Sequence, residues 1–257
     1  MKISFSKYQG TGNDFVMLNN MDGRYDDLNI KQIQLLCDRK MGVGADGLIK
    51  LSAHANYDFE VEYYNADGSQ SFCGNGARCS VVFAQEIGLI DSATTFWAID
   101  GAHRATLEND SVRLEMLPVT GIERVGDNYL LDTGSPHFVR IATPDEEIDI
   151  LEYGKEIRYS EQFKEKGINV NAVTVVSPTE IHVKTYERGV EDETLSCGTG
   201  VTACALVQLN SVDTTEKITV HTKGGTLYVE ANTKNKGFDH IWLSGPAKKV
   251  FDGSIEL

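Results

Sequence analysis

Basic side chains are in short supply in this chain: 24 Lys and Arg stand against 38 Asp and Glu, leaving a formal net charge of −14 over 257 residues. A nucleic-acid surface needs clustered cations to neutralise phosphates, and no such cluster is present, so nucleic acid is excluded as a partner. Long apolar runs are missing as well, which excludes a membrane-spanning helix. Met1 to Gly10 alternates polar and apolar residues instead of carrying the uninterrupted apolar core of an export signal. Cysteines number five, an odd count without Cys-x-x-Cys, so a disulfide framework and a thioredoxin-like redox pair are both excluded. Free thiols and a cytoplasmic location are expected. Gly-Lys-Ser/Thr is absent from the cysteine motifs. The segment Gly42-Val43-Gly44-Ala45-Asp46-Gly47, superficially dinucleotide-like, follows a helical pattern and not a strand, and its glycines read as tight-turn geometry.

What is present is a duplication. Cys-Gly-x-Gly occurs as Cys73-Gly74-Asn75-Gly76 and as Cys197-Gly198-Thr199-Gly200, each after a polar loop and before a helical stretch. Gly12-Asn13-Asp14-Phe15-Val16 matches Gly134-Ser135-Pro136-His137-Phe138-Val139, and Asp100-Gly101 matches Gly224-Gly225, all at an offset of 122 to 124 positions. An offset held over such a distance implies two halves of one design, with the small-molecule site expected in a cleft between them.

Local patterns place these motifs. Lys2 to Tyr8 alternates as a strand into the turn Gly10 to Asp14, and Phe15 to Leu18 resumes apolar. Asn29 caps a helix with Ile30, Ile33, Leu36 and Cys37 at helical spacing and Gly42 as the expected stop. Phe59 to Tyr64 reads as a strand ending in the turn Asn65-Ala66-Asp67-Gly68, and Ala77 to Ile87 as a helix stopped by Gly88. The second half repeats this with a strand from Ile181 to Tyr186, a loop from Glu187 to Ser196 and a helix from about Thr199 to Leu209. Further strands are expected around Phe96, Val112, Val173, Val220, Leu227 and Ile241. Strands dominate and each half owns one long helix after its cysteine, so the fold class is α+β with two lobes.

A thiol at a helix N-terminus meets unpaired amides and the positive end of the helix dipole, and both favour thiolate. Two such thiols facing one pocket make a proton donor and a proton acceptor of the same chemical type. Cys37, Cys79 and Cys204 lack the flanking glycines and read as small buried hydrophobes. Zinc is excluded because Cys73 and Cys79, or Cys197 and Cys204, lie roughly 9 to 10 Å apart along a helix, too far to share one ion.

Taken together, the blocks Lys7 to Phe15, Asp38 to Gly47, Tyr64 to Gly68, Cys73 to Cys79, Tyr186-Glu187-Arg188-Gly189, Cys197 to Gly200 and Gly245-Pro246-Ala247 resemble the signatures of the diaminopimelate epimerases. The resemblance implies two pseudo-symmetric lobes, each a curved, mainly antiparallel sheet wrapped around a central helix. Residues 1–117 with 247–257 are expected to form the lobe carrying Cys73, and residues 118–246 the lobe carrying Cys197. It also implies interconversion of LL- and meso-diaminopimelate in lysine and cell-wall precursor synthesis, with neither cofactor nor metal, and the small-molecule substrate as partner of a monomer or homodimer.

By the same resemblance Cys73 and Cys197 are the two bases. The amides of Gly74, Asn75, Gly198 and Thr199 receive the α-carboxylate. Asn13, Asn65, Asn169, Glu187 and Arg188 hold the distal amino and carboxylate groups, Arg188 suiting a carboxylate and Glu187 an ammonium. His137, with Glu187, is expected to tune a thiol. Three departures stand out: Ser135 replaces the Asn of Asn-Pro-His, Gly47 replaces Gln, and the loop from Glu187 to Cys197 is one residue longer. Proline racemases and hydroxyproline epimerases, which share the cysteine pair, are the nearest rival reading, and a non-catalytic amino-acid-binding protein is another. The proline racemases and hydroxyproline epimerases are not expected to carry Tyr-Asn-Ala-Asp-Gly together with Tyr-Glu-Arg-Gly.

Overall fold

The computed structural model describes residues 1–109, 111–143, 146–212 and 217–257. The chain divides into two compact units, Met1–Leu114 with Gly245–Leu257, and Glu115–Ser244.

The first unit starts as a hairpin of β1 (Lys2–Gly10) and β2 (Asn13–Asn20). Thr11 and Gly12 both take positive φ, 50° and 87°, the two-residue turn whose twist matches that of its strands. Helix α1 (Ile30–Cys37) starts at a capping box, in which the Asn29 side chain accepts from the Gln32 amide and Gln32 returns a bond to the Asn29 amide. It leads to β3 (Gly47–Ser52), parallel to β2, and then to antiparallel β4 (Glu60–Asn65). Helix α2 (Gly74–Glu86) crosses to β5 (Ala93–Ala98), parallel to β4, and β6 (Gly101–Glu108) and β7 (Ser111–Met116) continue antiparallel.

The second unit repeats this order. After β8 (Glu123–Val125), β9 (Asn128–Asp132) pairs antiparallel with β10 (Pro136–Ile141). Helix α3 (Ile150–Arg158) crosses to β11 (Asn169–Ser177), parallel to β10, and β12 (Glu180–Glu187) returns antiparallel. A short β13 (Asp192–Thr194) precedes α4 (Gly198–Ser211), which crosses to β14 (Ile218–Thr222), parallel to β12. Strands β15 (Gly225–Lys234) and β16 (Gly237–Pro246) complete it antiparallel, and β17 (Lys248–Glu256) rejoins the first unit on the outer side of β1. In both units the pairings run antiparallel, parallel, antiparallel, parallel, antiparallel, antiparallel, with a helix in each parallel crossover. The α+β class and the duplication expected from the sequence are what the structure displays. Even the matched turn glycines agree: Gly101 and Gly225 have φ of 133° and 142°.

Each unit wraps its own long helix. Helix α2 packs on β1 to β4, β6 and β17, and α4 on β9 to β12, β14 and β15. From Gly198 to Leu209 every residue of α4 is buried, as a helix apolar all round must be. Val201, Leu206, Val207 and Leu209 are buried, each contributing roughly 1.5 to 3 kcal/mol.

Local expectations need correction in four places. Gly42 does not stop α1, which ends five residues earlier; a Cβ there would sit 1.8 Å from the Leu35 carbonyl oxygen, so close approach dictates the glycine. Both long helices begin directly after their cysteines, earlier than their apolar patterns suggest. The loop after Glu187 contains β13. Finally, α3 lies where no element is expected, although Ile150, Tyr153, Gly154 and Ile157 recur at helical spacing and pack on the second unit's core. Gly88 does follow the end of α2 with φ 76°, as a C-terminal glycine should. Among the described residues no helix is long and apolar enough to cross a membrane.

Candidate active site

Cys73 is the N-cap residue of α2, with extended φ and ψ of −132° and 110°, and its sulfur accepts the Gly76 amide at 3.4 Å. The hairpin turn brings Asn13 beside it. The Nδ2 group of Asn13 donates to Asp46 at 2.7 Å, which leaves Oδ1 as the acceptor facing the helix. That Oδ1 receives the Cys73 thiol at 3.6 Å and the Asn75 amide nitrogen at 3.3 Å. Asp46 is anchored in turn by Arg39, which also grips Asp14, each at 2.7 Å, and Lys7 lies 2.7 Å from Asp14. Burial opposes ionisation of Asp14, yet the hydrogen bonds from Arg39 and Lys7 hold its carboxyl down to about 2. Beneath Asn75, the fully buried Arg78 donates to its Oδ1 at 2.9 Å, and burial pulls the guanidinium down to about 10.

Cys197 caps α4 in the same extended conformation, φ −111° and ψ 112°, but without a side-chain bond to the helix amides. Its sulfur lies 3.4 Å from the Thr199 hydroxyl, which lies 3.0 Å from His137 Nε2. His137 is fully buried, and burial, reinforced by the charge of Arg188, pushes its pKa down to about 3. The ring is therefore neutral at physiological pH. Thr133 donates to the Thr199 carbonyl at 2.8 Å and fixes the first turn.

The remaining expected site residues form two further groups. In the first unit Asn65 is bound into its own turn, donating to the Ser69 carbonyl and to the Ser69 and Ser71 hydroxyls and accepting from the Tyr63 hydroxyl. In the second, Asn169 donates to the Pro136 carbonyl at 3.2 Å and accepts the Arg188 amide at 2.9 Å, tying the end of β12 to β10. The exposed Arg188 side chain has the Lys166 carbonyl and the Ser135 hydroxyl as its partners among the described residues, so its charge is not matched by a carboxylate. Ser135 thus serves as an Arg188 acceptor. Half-buried Glu187 precedes Arg188. At Gly47 a Cβ would fall 2.4 Å from the Tyr63 ring and 2.5 Å from the Tyr64 carbonyl, so this chain has no room for a longer residue there.

The other three cysteines are set apart by burial, which pushes Cys37 up to about 12 and raises Cys79 and Cys204 as well. All five are free. Among the described residues no group of His, Cys, Asp and Glu is arranged to hold a metal ion. Sequence reasoning did not single out Asp46, Arg78, Asn171 or Thr185; Asp46 and Arg78 lie inside the Asp38 to Gly47 and Cys73 to Cys79 blocks, whereas the places of Asn171 and Thr185 depend on strand pairing.

Chemically, each unit presents a thiol at the positive end of a buried helix, with first-turn amides around it able to receive an anion. Residues 5–118 and 129–250 match the sequence profile of the diaminopimelate epimerase family. The chain is 48% identical to the diaminopimelate epimerase of Flavobacterium psychrophilum over 97% of this chain and 98% of that protein. It is 39% identical to that of Chlorobaculum tepidum over 96% and 99%. In solved structures the fold is similar to a phenazine biosynthesis protein of the PhzF family from Bacillus anthracis, TM-score 0.75 at 10% identity over all of both chains. It is also similar to a probable proline racemase from Agrobacterium radiobacter, TM-score 0.73 at 14% identity over 99% of this chain and 93% of that one. At such identities the likeness is one of fold alone.

Proposed function

The chain belongs to the diaminopimelate epimerase family, and on that premise we propose that it interconverts LL- and meso-diaminopimelate with Cys73 and Cys197 as its two bases. The observation that carries the proposal is the repeated placement of a cysteine as N-cap of the buried helix in each unit. Epimerisation of an α-carbon needs a base on one face and an acid on the other. One thiolate and one thiol meet that need without a third group. The thiolate takes the α-proton, forming S–H as C–H breaks, and the electron pair left on carbon spreads into the α-carboxylate. The opposite thiol then delivers its proton to the other face, so the two sulfurs exchange protonation states and the reverse reaction uses the same groups.

Charge that grows on the carboxylate is met by the first-turn amides of Gly74, Asn75, Gly198 and Thr199, whose dipoles are already oriented by the two helices. At the distal end, Arg188 is suited to a carboxylate because its charge is unmatched, and Glu187 to an ammonium. Asn13, Asn65 and Asn169 complete the distal contacts. His137, neutral and bonded to Thr199, and Glu187 adjust the Cys197 side. No cofactor or metal is assigned a step. The same reading places the enzyme in the cytoplasm, in lysine and cell-wall precursor synthesis, and makes a homodimer the assembly to test by light scattering.

Purified protein in deuterium oxide, with no cofactor added, is expected to incorporate deuterium at the α-carbon of diaminopimelate. Cys73→Ala or Cys197→Ala is expected to cut epimerisation by at least about 10³-fold, the scale of losing a general acid or base. Exchange on proline but none on diaminopimelate would move the assignment to the proline racemases. Full turnover in either alanine variant would end the two-base reading.

A further inference from the structure

Behind His137 lies a hydrogen-bond chain whose polarity can be worked out atom by atom. In the β11–β12 register Asn171 is opposite Thr185, and in the β10–β11 register it is opposite Val139, next to Phe138. The Asn171 side-chain nitrogen is 3.0 Å from the Phe138 carbonyl oxygen and its oxygen is 2.9 Å from the Thr185 hydroxyl. A carbonyl only accepts, so the atom facing Phe138 must be Nδ2, and the atom facing Thr185 is Oδ1. The same Nδ2 lies 3.1 Å from His137 Nδ1 and has a second proton to give, so Nδ1 must be the acceptor. A neutral imidazole that accepts at Nδ1 carries its proton at Nε2, and Nε2 is 3.0 Å from the Thr199 oxygen. Thr199 accepts there, which leaves its own proton to point at the Cys197 sulfur 3.4 Å away.

We infer that Asn171, oriented by Thr185, is a positioning residue that locks the Nε2–H tautomer of His137 and so turns the Thr199 hydroxyl into a donor to Cys197. The donor stabilises the thiolate of that cysteine. Cys73 has different neighbours: Asn13 Oδ1 accepts from its thiol, and its sulfur accepts the Gly76 amide. The packing has no slack: a Cβ on Gly200 would lie 2.6 Å from Asn171 Oδ1 and 3.3 Å from both His137 Cε1 and Thr185 Oγ1. The last glycine of the second Cys-Gly-x-Gly is thus the space that this amide occupies. Among the described residues, Arg188 acts on the cluster by disfavouring a cationic His137, and Cys204, farther along α4, is held as a neutral thiol by burial.

The inference rests on Cys197 being one of the two bases, but its test does not. In protein labelled with ¹⁵N at histidine, NMR is expected to show neutral His137 as the Nε2–H tautomer, assigned by its loss in His137→Gln. Iodoacetamide alkylation, followed for the Cys197 peptide by mass spectrometry, gives the midpoint of thiolate formation. Asn171→Leu and Thr185→Val are expected to populate the Nδ1–H tautomer and raise that midpoint by about one pH unit, a tenfold loss of thiolate at a fixed lower pH. Thr185→Ser, which keeps the hydroxyl, is expected to behave as wild type. An Nδ1–H tautomer in the wild-type protein overturns the inference whatever the variants do. So does an unshifted tautomer and midpoint in either folded variant. Full epimerisation by Cys197→Ala would instead sink the two-base reading and leave the tautomer measurement standing.

Discussion

His137 shows how one residue's surroundings decide its chemistry. Its ring is fully buried and Arg188's charge acts on it, and these two effects outweigh the hydrogen bond with Asn171 that favours the imidazolium. Folding lowers its pKa from 6.5 to about 3, so between those values the unfolded chain binds a proton that the folded chain refuses. Stability from this residue is fully present above pH 6.5 and is lost as pH falls toward 3, by roughly 5 kcal/mol at the limit. Urea unfolding at a series of pH values should show this slope, and His137→Gln, which cannot take up a proton, should flatten it in that window. A slope unchanged in the variant would place the acid sensitivity elsewhere. At the same scale the sequence reveals some residues and hides others. Cys73 and Cys197 are legible because a helix N-terminus writes itself as Cys-Gly-x-Gly. Asn171 is not, because Asn169-Val170-Asn171 offers two equivalent-looking asparagines, and only pairing with β10 and β12 separates the one that braces Arg188 from the one that braces His137.

Among the elements, α1 and α3 occupy the same place in the repeated order, yet only α1 could be read in advance. It advertises itself with Asn29 and Gln32 at capping-box spacing and buries Ile33, Leu36 and Cys37. Helix α3 has an N-cap, Asp149, bonded to the Leu151 and Glu152 amides, and it is short: of its inward residues Ile150 is buried, and Tyr153 and Ile157 are only partly so. What holds it is close approach: at Gly154 a Cβ would fall 2.3 Å from the Tyr186 Cβ and 2.4 Å from its Cγ. Two effects compete in Gly154→Ala. Alanine gains about 1 kcal/mol of helix propensity, whereas overpacking against an atom as fixed as a Cβ costs about 1 to 3 kcal/mol and forces α3 off β12. The clash is expected to win, giving a net loss of up to about 2 kcal/mol in denaturant unfolding. A stabilised variant would show that α3 can slide on β12.

For the molecule as a whole, the sequence conveys the duplication through turns and caps rather than through overall similarity. Asp100-Gly101 and Gly224-Gly225 reappear as matching positive-φ glycines, and both cysteine motifs as helix caps. What it does not convey is which strands pair in parallel, since that depends on where α1 to α4 cross; the return of residues 247–257 to the first lobe is expected only from the family resemblance. Strand β17 pairs with β1 along nearly its full length, Lys2 with Glu256 through to Gln9 with Lys248. Residues 115 to 244, by contrast, form the second unit without interruption. Contacts between such distant positions are slow to form, because a long loop must close before any of them is made. In chains stalled on the ribosome after residue 244 has emerged, protease protection is therefore expected for the second unit before the first, and the first is expected to gain protection only once β17 is out. Simultaneous protection of both units in chains lacking β17 would refute that order. A chain lacking β17 would thus carry an intact second unit and a first unit still missing the strand that covers β1, so the integrity of the first unit depends on residues made after the second unit is complete.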